Sequence, residues 1–408
     1  MLEMKAPQGS SLIFRMSEPK NKRPTSDRSG IDLSKIENHL IHEELHEICQ
    51  SMPDEKMLSR DHNVTEKELL SCLAKLLNNY FNPIVPVLPT HIAPTGGGVG
   101  VIDALLQSIC DEGDGVLISG PSWIDFDPEC WSFKSIETIV VELPNFADNF
   151  TTKLITALSE AADRSKCRIK ALLINNPHAP FGQCYPQEVL EACLKFCQQR
   201  RIHYISDETY ALTEFPSAEI ENPVSFLSAL SLDTRALRCD QSRIHTVWSI
   251  GENFGTDESQ MGCIITQGDD YLIAELTKTC KSHMKASSVA FATTLLSSQG
   301  LPFLITMNSA RLAESYIRVT SFFLQHGIEY IPASAGLSIF ARLAPRAKTW
   351  EDEALMVAKL KDAGVLVHAG RDCRGMRKEK GWVRLTFSLQ EDRLNEALRR
   401  MEVALGFR

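Results

Sequence analysis

His203-Tyr204-Ile205-Ser206-Asp207-Glu208-Thr209-Tyr210 is the stretch that decides how this chain folds. Its first four residues have the length and character of a short buried strand, and the run then breaks into an acidic, polar end. Runs of the same kind occur on either side, at Gly115–Ser119, Glu137–Glu142, Ile169–Ile174, Ile244–Ser249 and Gly262–Thr266. Helical patterns lie between them. Val101, Ile102, Leu105, Leu106 and Ile109 recur at helical spacing, as do Val189, Leu190, Cys193, Phe196 and Cys197. Short apolar strands alternating with amphipathic helices predict an α/β fold with a mostly parallel sheet covered on both faces, a three-layer α/β/α domain. Ligands of such sheets bind beyond the carboxyl ends of the strands. The residues just after each run are therefore the ones to inspect.

Beyond about residue 300 the helices lengthen (Ser309–Gln325, Thr349–Ala363, Glu391–Ala404) and strands become few (Gly336–Ala341, Trp382–Phe387). This reads as a smaller α+β domain over 301–408, joined by an N-terminal part at 31–70 and flanking a large domain at 71–300. Residues 1–30, rich in Pro, Ser and charge, read as a flexible segment. A chain of 408 residues has length for two cores. Its net charge of −9, with no basic stripe, argues against nucleic acid as a partner. With no apolar run of membrane-spanning length and no signal-peptide pattern, a cytoplasmic protein away from membranes is expected. The twelve cysteines include no CxxC pair, so reduced thiols and no metal centre are expected.

The strand ends carry the chemistry. Thr95-Gly96-Gly97-Gly98 opens a helix near Val99, where glycines admit a close ligand and the helix terminus offers free N–H groups. Gly120-Pro121-Ser122-Trp123, Asn176-Pro177-His178-Ala179-Pro180-Phe181-Gly182, Asp207-Glu208-Thr209-Tyr210 and Ser249-Ile250-Gly251-Glu252-Asn253-Phe254-Gly255 follow in order. With Glu37-Asn38-His39-Leu40 near the start and Gly381-Trp382-Val383-Arg384-Leu385 near the end, the set resembles the aminotransferase class I/II family. That family consists of pyridoxal-phosphate (PLP) enzymes of fold type I, and the branch resembled contains 1-aminocyclopropane-1-carboxylate (ACC) synthase and its fungal relatives. The resemblance implies that Asp207 pairs with the pyridinium nitrogen, Trp123 stacks on the ring and Tyr210 reaches the ring hydroxyl. Gly96, Gly97 and Ser249 would hold the phosphate, and Arg384 a substrate carboxylate by its planar fork. Glu37, Gly98, Asn176 and His178 would complete the pocket. A homodimer with interfacial sites is also implied.

The departures from the family pattern point elsewhere. The position of the lysine that forms the Schiff base is Glu252, and a carboxylate cannot form an imine. Gln260 stands where an arginine neutralises the cofactor phosphate, and Ala179 where an asparagine contacts the ring hydroxyl. The partner-subunit tyrosine expected around residues 57–63 is missing, since no tyrosine precedes Tyr80. Four changes aimed at one ligand give the expectation of a site without PLP. In this reading Glu252, with Asp207 and Tyr210, catalyses a cofactor-free cyclisation, isomerisation or elimination on a carboxylate-bearing small molecule, a fungal specialised metabolite by analogy with the branch. Two alternatives stay open. One is PLP or pyridoxamine phosphate held without the usual lysine, or by a substitute among Lys278, Lys281 and Lys285. The other is a non-catalytic binding protein in which Glu252 merely faces a wet cleft.

Overall fold

The computed structural model describes residues 30–50, 62–122, 135–255, 261–281, 284–376 and 379–407. The segment read as flexible, Trp123, Gln260 and most of the 57–63 stretch lie outside the described residues. The strands are β1 (Ile31–Asp32), β2 (Ile92–Thr95), β3 (Gly115–Ser119), β4 (Glu137–Val141), β5 (Ile169–Asn175), β6 (His203–Asp207), β7 (Ile244–Ser249), β8 (Gly262–Thr266), β9 (Glu329–Ile331), β10 (Ser338–Arg342), β11 (Val365–Leu366), β12 (His368–Ala369) and β13 (Trp382–Thr386). The α-helices are α1 (His42–Gln50), α2 (His62–Tyr80), α3 (Gly98–Ile109), α4 (Lys153–Arg164), α5 (Gln187–Arg200), α6 (Gly251–Phe254), α7 (Asp270–Lys281), α8 (Ala286–Ser297), α9 (Leu301–His326), α10 (Trp350–Asp362) and α11 (Glu391–Ala404).

Seven of these strands form one sheet in the order β2-β8-β7-β6-β5-β3-β4. All run parallel except β8, which is antiparallel to both β2 and β7. The strands expected from the apolar runs are all present. Alternate side chains leave the sheet in opposite directions, as a two-residue period requires. Val116, Ile118, Leu173, Ile205 and Val247 pack under α3, on Val101, Leu105 and Leu106. Leu117, Leu172, Ile174 and Tyr204 pack under α4 and α5, on Leu158, Val189, Cys193 and Leu194. Both helical stripes read from the sequence are thus the buried ones. Each fully buried aliphatic side chain contributes roughly 1.5–3 kcal/mol by leaving water, which is why the strands at the centre are apolar on both faces.

A second, four-stranded sheet, β12-β13-β10-β9, packs against α9, α10 and α11. The N-terminal segment joins it through β1, which pairs with β11, and through Ile31 and Leu33 in its core. Farther along the chain Ile41, Leu45, Leu69, Leu73 and Leu77 instead share a core with Trp248 of β7 and Phe254 of α6. The segment between Leu33 and Ile41 therefore crosses from one core to the other. The described cysteines are all free thiols. Among the described residues no single helix is long and apolar enough to cross a membrane, and no cluster of potential metal ligands occurs.

Candidate active site

Strand order brings the quoted motifs together, because parallel neighbours end on the same side of a sheet. Thr95, Gly262 and Ser249 stand in register across β2, β8 and β7. The Gly96-Gly97 turn and the first turn of α3 therefore lie beside the end of β7. A Cβ placed on Gly262 would approach Gly97 O to 3.5 Å. Gly97 itself has φ 143°, a conformation that only glycine adopts freely. Ser249 is fully buried and its Oγ accepts a hydrogen bond from Gly251 N.

Asp207, at the end of β6, is 7% exposed. Its Oδ2 accepts from Asn175 Nδ2 at 2.5 Å, and its Oδ1 accepts from Thr209 N at 3.2 Å and Thr209 Oγ1 at 2.5 Å. Burial raises its pKa, and these hydrogen bonds oppose the rise. Every donor to Asp207 among the described residues is neutral. A carboxylate taken from water without a cation is costly, so the environment calls for a positive partner.

Tyr210, Glu252, Arg384 and Asp207 share one electrostatic neighbourhood. Burial pushes the Tyr210 phenol above its ordinary range, the negative charges of Glu252 and Asp207 push it further, and Arg384 pulls it back. The phenol therefore stays protonated. Glu252 lies on the one-turn helix α6, half-buried, with its Oε2 out of solvent. Arg384 is 8% exposed on β13, and its Nη2 donates to Ser34 O at 2.8 Å. At Asp207 the cause of the rise is burial, while the field of Glu252 falls on Tyr210.

Other expected pocket residues hold the scaffold. Asn176 Nδ2 donates to Leu227 O, and its Oδ1 accepts from Tyr185 N, so its amide braces a loop. His178 is buried in an aromatic cluster, stacked on Phe181 at 4.5 Å and edge-on to Phe150. Burial lowers its pKa to about 3, so it is neutral. Ala179 is part-buried in the same loop. Glu37 pairs with His39 at 3.1 Å. Of the candidate substitute lysines, Lys278 extends into solvent toward Glu275 and Lys285 is exposed.

Sequence reasoning passed over Asn175, Thr209, Asn253 and Asn38. Asn175 sits opposite Asp207 in the β5–β6 register, which a polar residue closing a buried run could have signalled. Glu208 was also missed. It is fully buried, and its carboxylate accepts from Ser206 Oγ, Ser228 Oγ and Ala229 N.

The donor set fits PLP at three ends. Asp207 offers the anion that a protonated ring nitrogen needs, Tyr210 a donor for the ring hydroxyl, and the Gly96-Gly97 turn with the start of α3 a cradle for phosphate. Glu252, the residue expected at the aldehyde end, is a carboxylate and cannot form an imine.

Residues 30–401 match the model of the family "Aminotransferase class I and II". A probable aminotransferase of Aspergillus oryzae, aclI, is 40% identical, with 94% of this chain and 92% of that one covered. The trimodular acetylaranotin synthesis protein ataIMG of Aspergillus terreus is 42% identical over 52% of this chain and 24% of its own. A human 1-aminocyclopropane-1-carboxylate synthase-like protein 1 is 28% identical, covering 82% of this chain and 67% of that one. The aromatic aminotransferase from Pyrococcus horikoshii shares the fold, with TM-score 0.77 at 19% identity over 94% of this chain and 97% of that one. These findings overturn the expectation of a site without a cofactor, because the family that the chain matches points to PLP use. The chain belongs to the aminotransferase class I and II family.

Proposed function

We propose that the protein is a PLP-using lyase or transferase acting on a carboxylate-bearing, amino-acid-like metabolite, with the cofactor held non-covalently and Glu252 in the proton-transfer place of the family lysine. Fungal specialised metabolism is the setting that the similarity to ataIMG favours. A homodimer, usual for the fold, is part of this reading. The observation that carries it is Asp207: a buried carboxylate held by neutral donors among the described residues is suited to a protonated heteroaromatic nitrogen.

PLP, when bound, supplies an electron sink beside the substrate's amino group. The chain's own residues do the rest. Asp207 holds the proton on the ring nitrogen, and Asn175 and Thr209 hold Asp207. Tyr210 donates from its phenol. Arg384, its fork oriented by the bond to Ser34 O, binds the substrate carboxylate. Glu252 cannot become covalently attached, so its carboxylate remains available to take up and return a substrate proton.

Equilibrium dialysis with PLP tests the reading. Asp207→Asn is expected to weaken binding about 10- to 100-fold, the effect of losing a charged hydrogen bond worth roughly 1.5–3 kcal/mol. Borohydride treatment of the PLP-loaded protein is expected to leave no lysine modified. A stoichiometric adduct on one lysine, or equal PLP affinity in wild type and Asp207→Asn, would show the reading to be wrong.

A further inference from the structure

Residues 33–42 run as a strap between the two halves of the proposed site. On one side they follow β13 and its continuation. Thr386 N donates to Leu33 O, Thr386 Oγ1 to Lys35 O, Ser388 Oγ to Glu37 O, and His39 N to Ser388 O. Arg384 adds its own bond to Ser34 O. On the other side the strap meets α6, which carries Glu252. Asn38 is fully buried, and its Nδ2 donates to Asn253 O at 2.9 Å and to Asn308 Oδ1 at 2.8 Å. His42 Nε2 lies 3.1 Å from Gly255 O.

The contact is tight enough to set the height of the helix. Gly255 ends α6 at φ 62°, and a Cβ there would lie 2.0 Å from Asn38 O. Asn253 extends the knot inward, because its Nδ2 donates to Thr209 O at 2.9 Å and Ser249 O at 3.0 Å. Thr209 is one of the two residues that hold Asp207. One buried amide thus sits where the backbone of the Glu252 helix, the strap to Arg384 and the support of Asp207 converge.

We infer that Asn38 is a positioning residue: with Asn253 and Asn308 it fixes the Glu252 helix relative to Arg384 and Asp207, so that the proton-transfer and carboxylate-binding groups hold one geometry. The inference rests on the role proposed for Glu252. Its physical basis is satisfaction of buried donors and acceptors. Both protons of the Asn38 amide go to oxygens on other elements, and losing either leaves a buried group unpaired.

The test uses the full chain saturated with PLP and compares Asn38→Ala, Asn308→Leu, Asn308→Asp and Glu252→Gln. Hydrogen exchange is read at the amides of 251–255, and the pH titration of the bound cofactor's visible absorbance is read separately. Asn38→Ala and Asn308→Leu are expected to speed exchange at 251–255 about tenfold, the consequence of one lost buried hydrogen bond. Both are expected to displace the titration midpoint in the same direction as Glu252→Gln. Asn308→Asp keeps the acceptor for Asn38 Nδ2 and is expected to restore both readouts.

If Asn308→Leu matches wild type in exchange and titration, the inference is overturned, even where Asn38→Ala fails to fold. Faster exchange with an unmoved titration in both Asn variants, while Glu252→Gln does move it, also overturns the positioning role and leaves a structural knot. If Glu252→Gln leaves the titration unchanged but the Asn variants speed exchange and Asn308→Asp rescues it, Asn38 still holds the helix. In that case it is the role proposed for Glu252 that fails.

Discussion

The two ends of β6 and β7 bury polar groups in contrasting ways. At the amino ends His203 Nδ1 lies 2.9 Å from His245 Nε2, and His245 Nδ1 lies 2.8 Å from Thr266 Oγ1. The rings stack with centroids 5.1 Å apart. Neutral groups there satisfy neutral groups, and the arrangement closes on itself. At the carboxyl ends Asp207 is an acid whose described donors are all neutral, beside Tyr210, Glu252 and Arg384. Burial alone therefore does not mark a site. What separates the two ends is whether the local donors, acceptors and charges balance without a ligand.

The sharpest attempt to break the contrast is Asp207→Asn, whose expected 10- to 100-fold loss of PLP affinity should come with little change in folding stability. A large loss of stability in urea unfolding would mean that Asp207 is scaffold, like the histidines. His245→Leu is expected to do the reverse. It fills the space but strips His203 and Thr266 of a partner, costing about 1–3 kcal/mol of stability and leaving PLP affinity unchanged.

Acid should also distinguish the ends. Burial lowers the pKa of His203 to about 4 and that of His245 to about 3, against an ordinary imidazole value of roughly 6.5. The unfolded chain therefore binds these protons first as pH falls. The stability linked to the pair is fully present above about pH 6.5 and is lost as pH drops through about 4. Urea midpoints between these pH values should fall in wild type and fall less in His245→Leu; parallel slopes would remove the pair as the cause. Arg384→Lys should give the smallest effect. It keeps the charge but loses the fork, weakening binding of a dicarboxylate probe such as succinate by about tenfold or less. Unchanged succinate affinity would take Arg384 out of the carboxylate site.

Much of this was legible in the chain. The strands from Gly115 to Thr266 follow from apolar runs of strand length, and the stripes Val101–Ile109 and Val189–Cys197 are the faces that pack. Asp207, Tyr210, Glu252 and Arg384 could be named because the motifs that carry them resemble those of the family. Reading Asn176 and His178 as pocket residues was less secure. A polar residue after a strand can turn toward a ligand or toward a neighbouring loop, and both turn toward the scaffold.

By itself the sequence determined the α/β layering and the order of the motifs. Those features depend on periodicity and residue chemistry, which are local. Only the tertiary structure decided that Asp207 rests on Asn175 and Thr209, and that one strap meets the helix of Glu252 through Asn38 and Arg384 through Ser34. Such pairings span tens to hundreds of residues and depend on which strands lie side by side. Their strength comes from burial that no single stretch of chain can create.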